Sequence, residues 1–252
     1  IDLHLPPRAG MVTAMKHILS LAALAVALAA GPAFAQQKAD AKAEAPKDKP
    51  AAEIPPPVVA VTKHTGTFGG KTINYTATSG ETYLTDDKGK PTAAIVSTAY
   101  VKEGNDPNRP VTFLWNGGPG SGSLWLHMGA FGPKRVAVPS DARDDGAPPY
   151  PIVANPYSLL DVSDLVFIDP VGTGFSRALG DTDPKTFWGV TSDAKSVAQF
   201  IRKWLDANGR WNSPKYLGGE SYGTTRSAAV ANQLMNETYN DVALNGIILI
   251  ST

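Results

Sequence analysis

"KYLGGESYGTTRS", residues 215–227, is a short apolar run that breaks at two glycines, sets Ser221 between Glu220 and Tyr222, and meets a further glycine at 223. Gly-x-Ser-x-Gly between a strand and a helix is the spacing of a nucleophile elbow. The turn is so tight that flanking side chains would strike neighbouring strands, so glycine is needed at 219 and 223. At a helix start the serine also meets free amides and the positive end of the helix dipole, which favour developing negative charge. Five residues alone are a weak signal. The context adds weight: a short strand is predicted over 215–218, and a helix carrying Ala228, Ala229 and Leu234 is predicted after Ser221.

Further out, "VTFLWN" (111–116), "DLVFID" (164–169) and "GIILI" (246–250) are continuous apolar runs, the first two ending in a polar residue before a glycine-bearing loop. Such runs read as strands buried on both faces of a parallel sheet. Between the second and third lies an amphipathic helix, predicted over 192–207. Its stripe is Val197, Phe200, Ile201, Trp204 and Leu205, its cap Ser192 and its stop Gly209. Residues 58–102 are strand-like instead. "KTINYTATSG", "ETYLTDD" and "AAIVSTAYVK" are rich in Thr, Tyr, Val and Ile, with a hairpin turn predicted at 87–90. The fold class is therefore α/β: a central, mostly parallel sheet with an antiparallel N-terminal edge.

The 252 residues carry 23 Lys plus Arg against 23 Asp plus Glu, a balance that argues against a nucleic-acid partner. With no cysteine, disulfides, thiolate metal sites, a cysteine nucleophile and a lipoprotein anchor are all excluded. "MKHILSLAALAVALAAGPAFAQQ" opens at Met15 with Lys16 and His17, runs apolar, and ends in Ala33-Phe34-Ala35. Residues 15–35 are expected to be a cleaved secretory signal. A membrane anchor fits less well, because the run is short and no basic stop-transfer residues follow it. Residues 1–14 precede the expected start and read as a non-native lead. Residues 36–57 are an Ala, Lys, Glu and Pro linker with almost nothing to bury. The folded region is expected from residue 58.

The loop after the first buried strand is "NGGPGSGS", 116–123. It is not a phosphate loop, since Ser123 follows Gly122 and no lysine is present, and it lacks the third glycine of a dinucleotide fingerprint. Beside an elbow it suits an oxyanion hole, with one amide from Gly118 and one from Tyr222. "DPVGTGFSR", 169–177, is by itself only a tight turn. The four histidines, at 4, 17, 64 and 127, are scattered with no carboxylates at ligand spacing, so neither metal nor cofactor is expected. His127 is expected to pack near the glycine loop rather than serve as base.

In this order and spacing, "NGGPGSGS", "NPYSLLDVSDLVFIDPVGTGFS" and "GESYG" resemble the serine carboxypeptidases, the S10 peptidases of α/β-hydrolase fold, here of a bacterial secreted type. The resemblance runs from about Thr65 to the last residue. It implies that Ser221 is the acyl-forming nucleophile, that Gly118 and Tyr222 form the oxyanion hole, and that Asn116 and Glu220 hold the substrate's terminal carboxylate. A glutamate beside a bound carboxylate repels it unless the two share a proton, so binding should be tighter near pH 5 than near pH 8. The chain departs from the family in carrying Ala130 where an acidic residue is common, Ser121 where cysteine is usual, and "DPVG", one residue shorter than the usual form.

In α/β hydrolases the triad runs Ser, then Asp or Glu, then His. All four histidines precede Ser221. The expectation is an incomplete C-terminal side, with residues 58–252 the first part of a longer peptidase domain, inactive as it stands. The favoured substrate is a peptide with a free C-terminus, and no stable membrane anchor is expected after signal cleavage. Two other readings stay open: an α/β-hydrolase esterase or acyltransferase, and a non-catalytic secreted binding protein.

Overall fold

The computed structural model describes residues 53–104, 106–139, 141, 146–236 and 239–252. The expected lead, signal segment and linker up to residue 52 lie outside the described residues. Among the described residues no helix is long and apolar enough to cross a membrane.

The first three strands, β1 (Val59–Phe68), β2 (Lys71–Thr85) and β3 (Pro91–Lys102), form an antiparallel meander. The β2–β3 turn is held by Asp86, whose Oδ1 accepts from the Lys88 and Lys90 amides at 2.9 Å each. Two separate strands were expected where β2 runs unbroken through Gly80. That glycine is not a stop: a Cβ there would lie 2.5 Å from the Val58 carbonyl oxygen, so glycine lets the start of β1 cross closely.

The chain then enters β4 (Val111–Trp115) and leaves through the glycine loop into a short helix, α1 (Leu124–Leu126), that widens into a π-turn over His127–Phe131. A two-stranded ribbon of β5 (Lys134–Val136) and β6 (Ile152–Ala154) follows. Next come β7 (Asp164–Ile168), the two-residue β8 (Arg177–Ala178), the long helix α2 (Val190–Asn208), β9 (Lys215–Glu220), α3 (Tyr222–Met235) and β10 (Gly246–Ile250). The main sheet has the order β1-β2-β3-β7-β4-β9-β10, with β8 pairing β3. The last four strands are parallel to one another, and β3 meets β7 antiparallel. This is the α/β-hydrolase arrangement.

Strand alternation splits the apolar residues of β4 and β7 between two cores. Phe113, Trp115, Val166 and Ile168 face Val197, Phe200, Ile201, Trp204, Val230 and Leu234 of α2 and α3. Leu114, Leu165 and Phe167 face the other way, onto Phe68, Ile73, Tyr75, Leu126 and Leu160.

Three details differ from expectation. Helix α2 starts two residues before Ser192, with Gly189 as N-cap at φ 89° and no side-chain cap; Asp193 sits in the first turn and complements the dipole. Gly209, at φ 63°, ends it as expected. On α3 the buried face is Gly223, Arg226, Ser227, Val230 and Leu234, while Ala228 is exposed. Finally, β10 is not buried on both faces: Ile247 and Leu249 are half-exposed, because β10 pairs only with β9 and none of the described elements covers that side of it.

Candidate functional site

The register of the parallel strands builds the site. Trp115 pairs with Gly219, and Leu114 with Phe167. Continuing the same register past the C-terminal ends of β7 and β4, one step beyond the first pair and two beyond the second, brings Asp169, Asn116 and Glu220 level across three adjacent strands. The crevice at the carboxyl ends of such strands is where this sheet type places ligands.

Ser221 sits just past β9 at φ 56° and ψ −126°, a conformation rare for a residue with a side chain, and it is exposed. Its neighbours hold it there. The Ser221 amide donates to the Ile250 carbonyl at 2.9 Å, and the Thr224 amide and hydroxyl both donate to the Ser221 carbonyl. A Cβ on Gly219 would run into the Gly223 carbonyl. One on Gly223 would lie 3.0 Å from both Trp115 Cδ1 and the Trp115 carbonyl oxygen. The glycines predicted to allow the elbow are the places where α3 touches β9 and β4. Tyr222, the first residue of α3, carries an amide for which the helix supplies no acceptor.

The glycine loop lies directly on the elbow. A Cβ on Gly117 would sit 2.5 Å from the Tyr222 nitrogen and 2.6 Å from the Glu220 carbonyl oxygen. Gly118 follows at φ 109°. The far end of the loop is tied to β7: the Ser123 amide donates to Asp169 Oδ1 at 2.7 Å, and its hydroxyl donates to the Ile168 carbonyl. Burial pushes the Asp169 carboxyl up, against the opposing pull of that amide.

Asn116 is 1 % exposed and its amide orientation is set by its partners. Its Oδ1 accepts from the Leu126 amide at 3.0 Å, so its Nδ2 is the group that donates to Glu220 Oε2, also at 3.0 Å. A cavity of about 440 Å³ opens beside the elbow, bordered by Pro119, Gly120, Thr173, Trp188, Tyr222 and Arg226. Burial first, and then the Asp193 carboxylate, hold the Tyr222 phenol above its usual range.

His127 stacks on Phe167 at 4.4 Å between centroids and shares a 2.7 Å hydrogen bond with the Tyr100 hydroxyl. Burial lowers its pKa to about 4. Among the described residues no side-chain base hydrogen-bonds the Ser221 hydroxyl. Nor do three or more His, Asp or Glu side chains gather where they could hold a metal ion.

Residues 98–251, well over half of the chain, match the sequence profile of serine carboxypeptidases, peptidase S10. The chain belongs to the serine carboxypeptidase family. Among relatives, serine carboxypeptidase-like 4 of Arabidopsis thaliana is 32 % identical over 126 residues, covering 49 % of this chain and 27 % of that protein. Serine carboxypeptidase-like 13 of the same plant is 29 % identical over 153 residues, covering 60 % and 34 %. The chain thus spans about a third of the length of these relatives. The crystal structure of Kex1(Δ)p, a prohormone-processing carboxypeptidase from Saccharomyces cerevisiae, is 22 % identical, with a TM-score of 0.51 over 69 % of this chain and 38 % of that one. At that identity the likeness is one of fold.

Within this serine carboxypeptidase chain, the structure gathers all five residues singled out in the sequence, Asn116, Gly118, Glu220, Ser221 and Tyr222, around the elbow and the glycine loop. Sequence reasoning missed Arg226 and Asp193, which lie immediately behind them. Arg226 Nε donates to Asp193 Oδ2 at 2.8 Å and Nη1 to the Asn116 carbonyl at 2.7 Å. The only available signal was an arginine among the small residues of "GTTRSAAV".

Proposed function

We propose that the full-length protein is a secreted serine carboxypeptidase that removes the last residue from peptides with a free C-terminus. Ser221 Oγ attacks the carbonyl of the final peptide bond. The amides of Gly118 and Tyr222 stabilise the oxyanion, the C–N bond breaks, and the terminal amino acid leaves with a proton on its nitrogen. Water then hydrolyses the Ser221 ester, releasing the shortened peptide and restoring the hydroxyl. On this reading the triad's acid and histidine belong to the part of the protein beyond Thr252, and residues 15–35 direct secretion.

The observation that carries the proposal is the Asn116–Glu220 hydrogen bond beside the elbow. An amide and a carboxyl side by side, next in sequence to the glycine loop and to Ser221, suit a substrate carboxylate that shares the Glu220 proton. An ester substrate has no such group to hold. A hydrogen bond to a carboxylate contributes about 1.5–3 kcal/mol, or roughly 10- to 150-fold in binding.

The test uses the full-length protein and two peptides that differ only in a free or amidated C-terminus. The expected result is release of the terminal residue from the free acid at a kcat/KM at least roughly tenfold above the amide, abolished by Ser221→Ala. Equal rates on the two peptides would overturn the carboxylate assignment. Activity confined to simple esters would favour the esterase reading.

A further inference from the structure

The glycine loop has little of its own to hold its shape beyond one backbone hydrogen bond, from the Ser121 amide to the Gly117 carbonyl at 3.1 Å. Residues 116–122 contain glycine at 117, 118, 120 and 122, and the loop passes through left-handed conformations at Gly118 and Gly120. Yet on the proposed reading this loop must present the Gly118 amide and the Asn116 side chain within a few tenths of an ångström of where they act. Its far end is fixed by Asp169. Its near end, the Asn116–Gly117 peptide, is met from behind by Arg226.

We infer that Arg226 is a positioning residue that locks the Asn116–Gly117 peptide to helix α3 and so sets both the oxyanion loop and the carboxylate-holding pair. Arg226 is 2 % exposed on the buried face of α3. Its guanidinium makes three directed contacts. Nη1 donates to the Asn116 carbonyl at 2.7 Å, Nε donates to Asp193 Oδ2 at 2.8 Å, and Cζ lies 5.0 Å from the Tyr222 ring centroid. The Tyr222 hydroxyl reaches the same Asp193 oxygen at 3.5 Å. Three chain segments that are remote in sequence, the end of β4, the first turn of α2 and the first turns of α3, therefore converge on one planar cation. A planar fork with fixed donor directions aligns them, whereas a lysine ammonium on a flexible stem supplies the charge and donors without that fixed geometry. Stability alone does not explain the pair, because an apolar pair of similar volume would generally hold the elements together as well. What the ion pair adds is direction.

The inference rests on the carboxypeptidase reading in treating Gly118 and Asn116 as working groups, and its test is chosen to separate the two. Arg226→Met, Arg226→Lys and Asp193→Asn are made in the full-length protein. Each is measured for kcat and KM on a free-acid peptide and on a matching ester, and for hydrogen exchange of residues 114–124 and of 160–168. For Arg226→Met the expected result is a kcat lower on the order of 10²-fold. Exchange at 114–124 should be faster and at 160–168 unchanged. Arg226→Lys should recover part of the kcat. Asp193→Asn, whose amide oxygen can take the place of Asp193 Oδ2 as acceptor from Arg226 Nε, should lower stability through the lost counter-charge but keep most of the kcat per folded molecule. Unchanged exchange at 114–124, or losses no larger than the loss of folded protein, would overturn the inference. Faster exchange in a protein whose wild type cleaves neither substrate would overturn the carboxypeptidase reading and leave the positioning role standing. If Arg226→Met does not fold, Arg226→Lys decides by the same measurements.

Discussion

Replacing Asp164 by asparagine should cost this domain far more stability than its single hydrogen-bond change suggests. Asp164 opens β7 and is 1 % exposed. Its Oδ1 accepts from Arg109 Nε at 2.8 Å and from the Lys102 amide at 3.0 Å, and its Oδ2 accepts from Arg210 Nη1 at 2.5 Å. Arg210 is buried and Arg109 nearly so, and both spend further donors on the Leu160 and Arg109 carbonyls and on Ser213 Oγ. Asparagine keeps the shape but turns an NH2 toward one guanidinium and leaves the buried Arg210 and the largely covered Arg109 without a counter-charge. Removing one partner of a buried pair costs about 3–5 kcal/mol. The Lys90–Asp181 pair is equally short at 2.6 Å, but its side chains are 53 % and 75 % exposed. Such an exposed pair is screened by solvent and adds little. Burial, not distance, separates the two cases. At roughly 2–4 °C per kcal/mol for a domain of this size, Asp164→Asn should lower Tm by about 6–20 °C, and Asp181→Asn by at most a few degrees. Circular dichroism during heating and urea unfolding would measure both. Asp164 lies a full strand away from Asn116 and Glu220, about 16 Å along β7, so turnover per folded molecule should not change. A loss under about 1 kcal/mol, or equal losses in the two variants, would refute the reasoning.

Gly219→Ala should damage both stability and turnover, because its methyl meets the Gly223 carbonyl and comes within 2.6 Å of Ser227 Oγ. About 1–3 kcal/mol of overpacking and a kcat loss on the order of 10²-fold are expected. Gly129→Ala, where a methyl meets nothing within 4 Å, is the control, and equal effects would sink the steric account. His127 has a folded-state pKa of about 4 set by burial, against an ordinary value near 6.5. Between these values the unfolded chain binds a proton that the folded chain refuses, so stability should fall as pH drops from about 6.5 to 4. His127→Gln should show a smaller fall in urea midpoint between pH 7 and 4.5, and parallel slopes would contradict this.

Much of the fold was legible because its signals are local. Val111–Trp115 and Asp164–Ile168 read as doubly buried strands because the two faces of the sheet are both covered, which requires unbroken apolar runs. Gly219 and Gly223 read as elbow glycines because no side chain fits between α3 and the strands. Where local signals misled, a neighbour distant in sequence had decided the matter. Gly80 looks like a strand stop but admits β1. "GIILI" looks doubly buried, but its exposure depends on which strand lies beside it.

The sequence by itself determined the order of strand, glycine loop, elbow and helix, which marks Ser221, Gly118 and Tyr222, while Asn116 and Glu220 were marked only by the resemblance to the serine carboxypeptidases. Only the tertiary structure decided that Asn116 stands level with Glu220, since that follows from the pairing of Trp115 with Gly219 across more than a hundred residues. Only it placed Arg226 between Asp193 and the Asn116 carbonyl. Periodicity and glycine demands act over a few residues and leave a mark on the local sequence. Strand register and the aim of a buried guanidinium are set by partners far along the chain, and any arginine on a helix reads alike until those partners are in place.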